Sequence, residues 1–277
     1  MKSKIFVFAF EVLVTLNLAA QQTELKDIVG KIQSACTKVE ASSKTYEQEI
    51  KLIEFSSLNY SVAEVDAKGN RTTLSYDFNL ADIDPNTVRQ VTQKDVIKAV
   101  LSVRNKQKLI KYSKNGEAQS YDDELSIYAK DPDQAKQLVE LFKKAIPLGE
   151  KITNAKLKLN GYQEMVTWLI DHVKNVTAGN KSFTQNLQPG SYVGSLVLTQ
   201  VENDGKTSQQ EEFAFNMADI NLNAINFEIS GNRFGLNLEM LQKIKSVKVT
   251  RDGKSRPFND EVLIYTNNVD EARDLKT

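Results

Sequence analysis

The chain has 277 residues, 40% of them hydrophobic and 26% charged. That is the composition of an ordinary globular protein, at a length that suits two domains better than one. Lys plus Arg and Asp plus Glu both number 36, and no block of like charges occurs, so nucleic-acid binding is not expected.

In chain order the first element is "MKSKIFVFAFEVLVTLNLAAQQ": two lysines, an apolar run from Ile5 to Leu18, then the small pair Ala19-Ala20. This is the layout of a secretory signal peptide over residues 1–20, with cleavage after Ala20 and an exported, periplasmic or secreted product. No later segment reaches transmembrane length. Cys36 is the only cysteine, so no internal disulfide is available and stability must come from core burial.

A helix is predicted over "TELKDIVGKIQSACTKVE", with Thr23 as its cap and Leu25, Ile28, Val29, Ile32, Cys36 and Val39 on one face. Alternating strands follow, including Leu74, Tyr76, Phe78 and Leu80 in one phase. Gly69, Gly116, Gly205 and Gly253 mark hairpin turns. "DPDQAKQLVELFKKAI" predicts a closing helix with Pro132 in its first turn and Ala135, Leu138, Val139, Phe142 and Ile146 as its buried stripe.

"YDFNLADID" at 76–84 returns as "FAFNMADIN" at 213–221, an offset of 137 positions. The blocks 39–50 and 111–138 meet 176–187 and 248–275 at the same offset. A period this long predicts two whole domains. Repeat domain one is placed at 21–150 and repeat domain two at 151–277. Each is α+β: an N-terminal helix, an antiparallel sheet or small barrel of about seven strands, and a C-terminal helix that is shorter in the second copy. The phase slip at Leu80–Asp82 predicts a bulge or bend, with Asn79 and Asp82, and Asn216 and Asp219 in the second copy, bonding local backbone.

The final hairpin and helix, "KYSKNGEAQSYDDELSIYAKDPDQAKQLVELFKKAI", with its shorter partner at 248–275, close a meander that resembles a pleckstrin-homology-like fold in tandem. The resemblance implies a scaffold that binds peptides, lipids or proteins more often than it catalyses. The extra leading helix departs from that pattern, and a helix-flanked open antiparallel sheet is the alternative.

The copies differ where function is expected. In "YQEMVTWLIDHVKNV" the core stripe is Tyr162, Met165, Val166, Leu169, Val173 and Val176. Trp168, Ile170 and His172 stand where the first copy has Lys31, Gln33 and Ala35. The widened apolar arc suits a helix between two bodies, so Trp168, Ile170 and His172 are the candidate partner-binding residues. The second copy ends at "DEARDLKT", without counterparts of Val139, Leu141, Phe142, Ala145 and Ile146, and the surface they would cover is expected to be covered by this chain or by a partner.

The lone histidine, His172, leaves no usual zinc site and no convincing nucleophilic triad, and no glycine-rich phosphate loop occurs. No catalytic residue, metal or cofactor is expected. The carboxylates Asp82, Asp84 and Asp122–Glu124 are read as capping their own backbone. The reading that follows is an exported, non-enzymatic binding or assembly protein with a protein or envelope partner. The alternatives are a carboxylate-dependent hydrolase with its site between the repeats, and a carrier of lipid or another small ligand.

Overall fold

The computed structural model describes residues 2–157, 159, 161–230 and 233–277, with side chains from residue 18 onward. The protein is α+β, with antiparallel sheets throughout. It divides into two compact units, Met1–Leu157 and Lys158–Thr277. Among the described residues no helix is long and apolar enough to cross a membrane.

The first unit runs α1 (Lys2–Ala35), β1 (Val39–Glu40), β2 (Lys44–Glu54), β3 (Ser57–Asp66), β4 (Arg71–Asn79), β5 (Arg89–Gln93), β6 (Val96–Ser102), β7 (Lys111–Lys114), β8 (Glu117–Ala118), β9 (Glu124–Ala129) and α2 (Pro132–Asn154). Its strands are not one meander. They divide into a six-stranded sheet ordered β1-β2-β3-β4-β7-β8 and a three-stranded sheet ordered β5-β6-β9. The chain changes sheet after β4, returns at β7 and changes again at β9.

The expected signal segment enters α1, which continues unbroken through Ala20; its side chains up to residue 17 lie outside the described residues. Thr23 is therefore inside the helix and is not its cap. Its hydroxyl donates to the Ala19 carbonyl at 3.0 Å, the back-bonding of a mid-helix threonine. Leu25, Ile28, Val29 and Ile32 are buried as their spacing predicts. The helix stops at Ala35, so the buried Cys36 lies just beyond it and Val39 belongs to β1, paired with Tyr46.

The phase slip at Leu80–Asp82 is a 3-10 turn, which Asn79 caps by accepting from the Ala81 N–H at 2.9 Å. Gly69 (φ +84°) and Gly116 (φ +82°) sit in the hairpin turns, in the left-handed region that glycine enters without strain.

Asp131 caps α2 by accepting from the Gln134 N–H at 2.7 Å, with Pro132 next to it. Ala135, Leu138, Phe142 and Ile146 are fully buried, the large ones each contributing about 1.5–3 kcal/mol. The helix does not end there. It continues through Pro147 to Asn154 because tertiary packing holds its last turns. Gly149 lies against Leu80, so close that a Cβ would fall 2.6 Å from the Leu80 Cβ. Ile152 is fully buried. The Thr153 hydroxyl lies 2.6 Å from that of Ser56, which donates to Asn79 Oδ1 at 2.9 Å. The closing helix is thus bolted to the bend.

The second unit runs α3 (Tyr162–His172), β10 (Val176–Ala178), β11 (Lys181–Pro189), β12 (Ser195–Asn203), β13 (Ser208–Asn216), β14 (Ile220–Ser230), β15 (Arg233–Met240), β16 (Lys248–Arg251), β17 (Lys254–Ser255), β18 (Glu261–Thr266) and α4 (Val269–Lys276). Its sheets are ordered β10-β11-β12-β13-β16-β17 and β14-β15-β18. Asn216 accepts from the Ala218 N–H at 2.9 Å at a second 3-10 turn, Met217–Asp219. Leu198, Phe215, Met240 and Val247 are among its core residues, and Leu275 of α4 packs against them.

In each unit one glutamine ties the two sheets together. Gln48 of β2 donates through Nε2 to the Tyr128 carbonyl of β9 (2.7 Å) and to the Thr37 carbonyl (2.9 Å). Its Oε1 accepts from the Tyr128 N–H (3.1 Å) and the Tyr60 hydroxyl (2.8 Å). Gln185 of β11 makes the same contacts with Tyr265 of β18 (2.9 Å in each direction) and with the Lys174 carbonyl (2.7 Å). Gln200 Nε2 supplies its remaining bond at 2.9 Å. All four hydrogen-bonding positions of the side-chain amide are used.

Removing the Gln185 amide orphans the Tyr265 N–H and C=O and the Lys174 C=O. Gln185→Ala is expected to lower stability by about 2–4 kcal/mol in chemical denaturation. Gln188→Ala, on the exposed face of the same strand, should change it by less than about 0.5 kcal/mol.

Candidate functional site

The β11–β12 connection, "PGSYVGS", is a loop held in one shape. The Gly190 N–H donates to the Ser195 carbonyl at 2.8 Å, and the Ser195 hydroxyl donates to the Tyr192 carbonyl at 2.7 Å. A Cβ on Gly190 would stand 2.2 Å from Ser195 Oγ, so only glycine fits. Gly194 has φ +87° and donates its N–H to the Tyr162 hydroxyl of α3 at 2.9 Å. The loop nevertheless turns Tyr192 (63% exposed) and Val193 (86% exposed) to solvent.

Helical spacing extends this surface along α3. Tyr162 and Met165, expected in the core stripe, are exposed, while Val166 is buried. The helix contacts β11, with Val166 in the unit's core and Leu169 and Ile170 packed against that core. Trp168 and His172, one turn apart, share a side of the helix with Met165, Trp168 half-buried and His172 exposed. The Trp168 and His172 rings stack with centroids 4.0 Å apart, and His172 Nδ1 lies 2.7 Å from the Trp168 carbonyl.

Two of the three residues singled out in the sequence, Trp168 and His172, are therefore brought together. Ile170 is turned the other way, against the core of its own unit. Sequence reasoning missed Tyr192 and Val193. The signal was present: an aromatic and a β-branched residue between glycines, with Pro189 before them.

The surface offers exposed apolar area beside a few fixed polar groups. The carboxylates singled out in the sequence have local partners. Asp84 Oδ1 accepts from the Asn86 N–H at 2.9 Å, Asp122 Oδ1 accepts from the Asp123 N–H at 2.8 Å, and Glu124 pairs with Arg89 at 3.2 Å. Asp82 is buried beside the bend. Among the described residues no group of three or more His, Cys, Asp or Glu is placed to hold a metal ion. A groove of about 630 Å³ between α1 and the start of α2 is lined by both polar and apolar surface, with Lys26, Asp27, Lys31, Ala35 and Lys130 among its walls.

No family model, curated protein or solved structure matches the chain.

Burial in the first unit perturbs several acids. Desolvation pushes the Cys36 thiol from its ordinary 9.0 up to about 12 and the Tyr76 phenol from 10.0 up to about 12, and it raises Tyr60 and Tyr128 as well. The unfolded chain releases these protons at ordinary values, so above pH 9 it binds fewer of them than the folded unit does. Their contribution to stability is fully present below about pH 9 and is lost as the pH rises towards about 12. Alkaline titration should show phenolate absorbance from the buried tyrosines appearing together with loss of first-unit structure. Smooth ionisation near pH 10 with the fold intact would contradict this.

Proposed function

We propose that the protein is an exported, non-enzymatic binding protein made of two copies of one unit, and that the Tyr192–Val193 loop with the exposed flank of α3 receives a protein partner. The duplication is supported by the common strand order of the two units and by the glutamine clasps, Gln48 to Tyr128 and Gln185 to Tyr265, set 137 positions apart. Consecutive left-handed residues at Asn105–Lys106 and Gln242–Lys243 repeat at the same offset. The tandem pleckstrin-homology-like reading draws on the same element order, with a helix closing each set of strands. Export rests on the lysine, apolar-run and alanine layout of residues 1–20.

The observation that carries the binding reading is Val193, an aliphatic side chain left 86% exposed on a loop fixed by several hydrogen bonds. A floppy loop could fold such a residue away, and this one holds it out. Preorganised apolar and aromatic groups lose little entropy on docking. Trp168, the single tryptophan of the chain, lies on the same helix as Tyr162 and provides a fluorescence reporter.

Wild-type full chain and Val193→Asp should be compared for capture of proteins from the envelope and medium of the native host, with Trp168 emission followed on adding the captured fraction. The expected result is a discrete partner retained by the wild type and reduced at least tenfold with Val193→Asp, roughly the effect of placing a charge in an apolar contact, together with a shift in emission. Equal capture by both forms, or none by either, would contradict the proposal.

A further inference from the structure

The two units finish their small sheets differently. In the first, the outer strand β5 is five residues, "RQVTQ", with one apolar side chain and Arg89 paired to Glu124. In the second, the outer strand β14 is eleven residues, "INLNAINFEIS". It pairs on its inner side with β15, in regular register from Ile225↔Leu238 to Ser230↔Arg233, and among the described residues its outer side has no ladder partner. Short length, proline, lysine or arginine normally blunts such an edge. β14 has none of these; a bulge, another such device, interrupts its ladder between Ile220 and Ile225 and leaves 225–230 regular, and Glu228 is its only charge.

Its side chains carry the mark of an unfinished sheet. Ile225 and Phe227 pack against the unit's core yet remain only partly buried, as does Ile229, while Asn226 and Glu228 face solvent. An unpaired row of backbone N–H and C=O groups accepts an extended strand.

We infer that the strand it accepts is β14 of a second copy, antiparallel and centred on Phe227. In that register Ile225 faces Ile229 twice, Phe227 faces its own symmetry mate, and Asn226 faces Glu228 twice. Apolar residues stay on the core side and polar residues on the solvent side, every carboxylate meets an amide, and no like charges oppose each other. A two-fold contact requires this self-complementarity. Cross-strand aromatic and aliphatic pairs add to the backbone bonds, and two three-stranded sheets become one of six strands. The inference does not rest on the partner proposed for Val193, which uses other residues.

Sedimentation equilibrium of the full chain across the micromolar range tests it. The wild type should show a reversible dimer. Asn226→Glu sets carboxylate against carboxylate at both symmetric positions and should weaken the dimer roughly five- to tenfold. Asn226→Lys should hold it at least as tightly, and Asn226→Glu with Glu228→Lys should restore it. Both positions are solvent-exposed, and circular dichroism checks that the fold is intact. A chain that is monomeric at every concentration, a dimer indifferent to the charge at 226, or a loss that the double variant does not restore would overturn the inference.

Discussion

The architecture depends on a side-chain amide doing the work of a β-ladder. β9 and β18 each lie at the border of a three-stranded sheet, where the outward N–H and C=O of Tyr128 and Tyr265 would otherwise be buried without partners. A buried backbone group left unpaired costs about 1–3 kcal/mol. Gln48 and Gln185 answer both groups at once, since a primary amide carries a donor and an acceptor at the spacing a peptide presents. The rings beside them stack, Tyr46 on Tyr128 at 3.8 Å and Phe183 on Tyr265 at 4.0 Å, and shield the bonds from water. The third polar partner is a tyrosine hydroxyl in one unit and a glutamine in the other. The requirement for a donor at that point is kept while the residue that meets it changes.

Local features were legible in the sequence because they depend on neighbours a few residues away. The stripe of α2, the Pro132 start, the glycine hairpins and the Asn79 bend all follow from spacing and backbone preference. Features set by distant contacts were not. Nothing near Pro147 announces that Gly149 will dock on Leu80 or Thr153 on Ser56, so spacing alone ends the helix too early. The division of the strands into two sheets comes from pairings such as β4 with β7 and β6 with β9, which alternation alone does not encode. The clasp did leave a trace. Gln48 stands in the inward phase between Tyr46 and Ile50, and Gln185 stands between Phe183 and Leu187.

The candidate site was half legible for the same reason. Helical periodicity assigns Tyr162 and Met165 to the core, but burial also needs something to pack against. In the first unit α2 packs against α1 and helps bury its stripe; in the second, α3 lies on β11 and leaves Tyr162 and Met165 exposed. The polar framework common to both units holds the fold. Both units carry exposed apolar residues at the same connection, Ile53 and Phe55 at the β2–β3 turn of the first and Tyr192 and Val193 at the β11–β12 loop of the second; the long edge strand β14 belongs to the second unit alone.

Amide hydrogen exchange on the full-length chain tests the clasp most directly. The Tyr128 and Tyr265 N–H groups point away from their own ladders to a glutamine oxygen, and the account predicts protection equal to that of the central strands β3 and β12. Exchange at those two amides as fast as in the surface turns would show that the sheets are held together by something else.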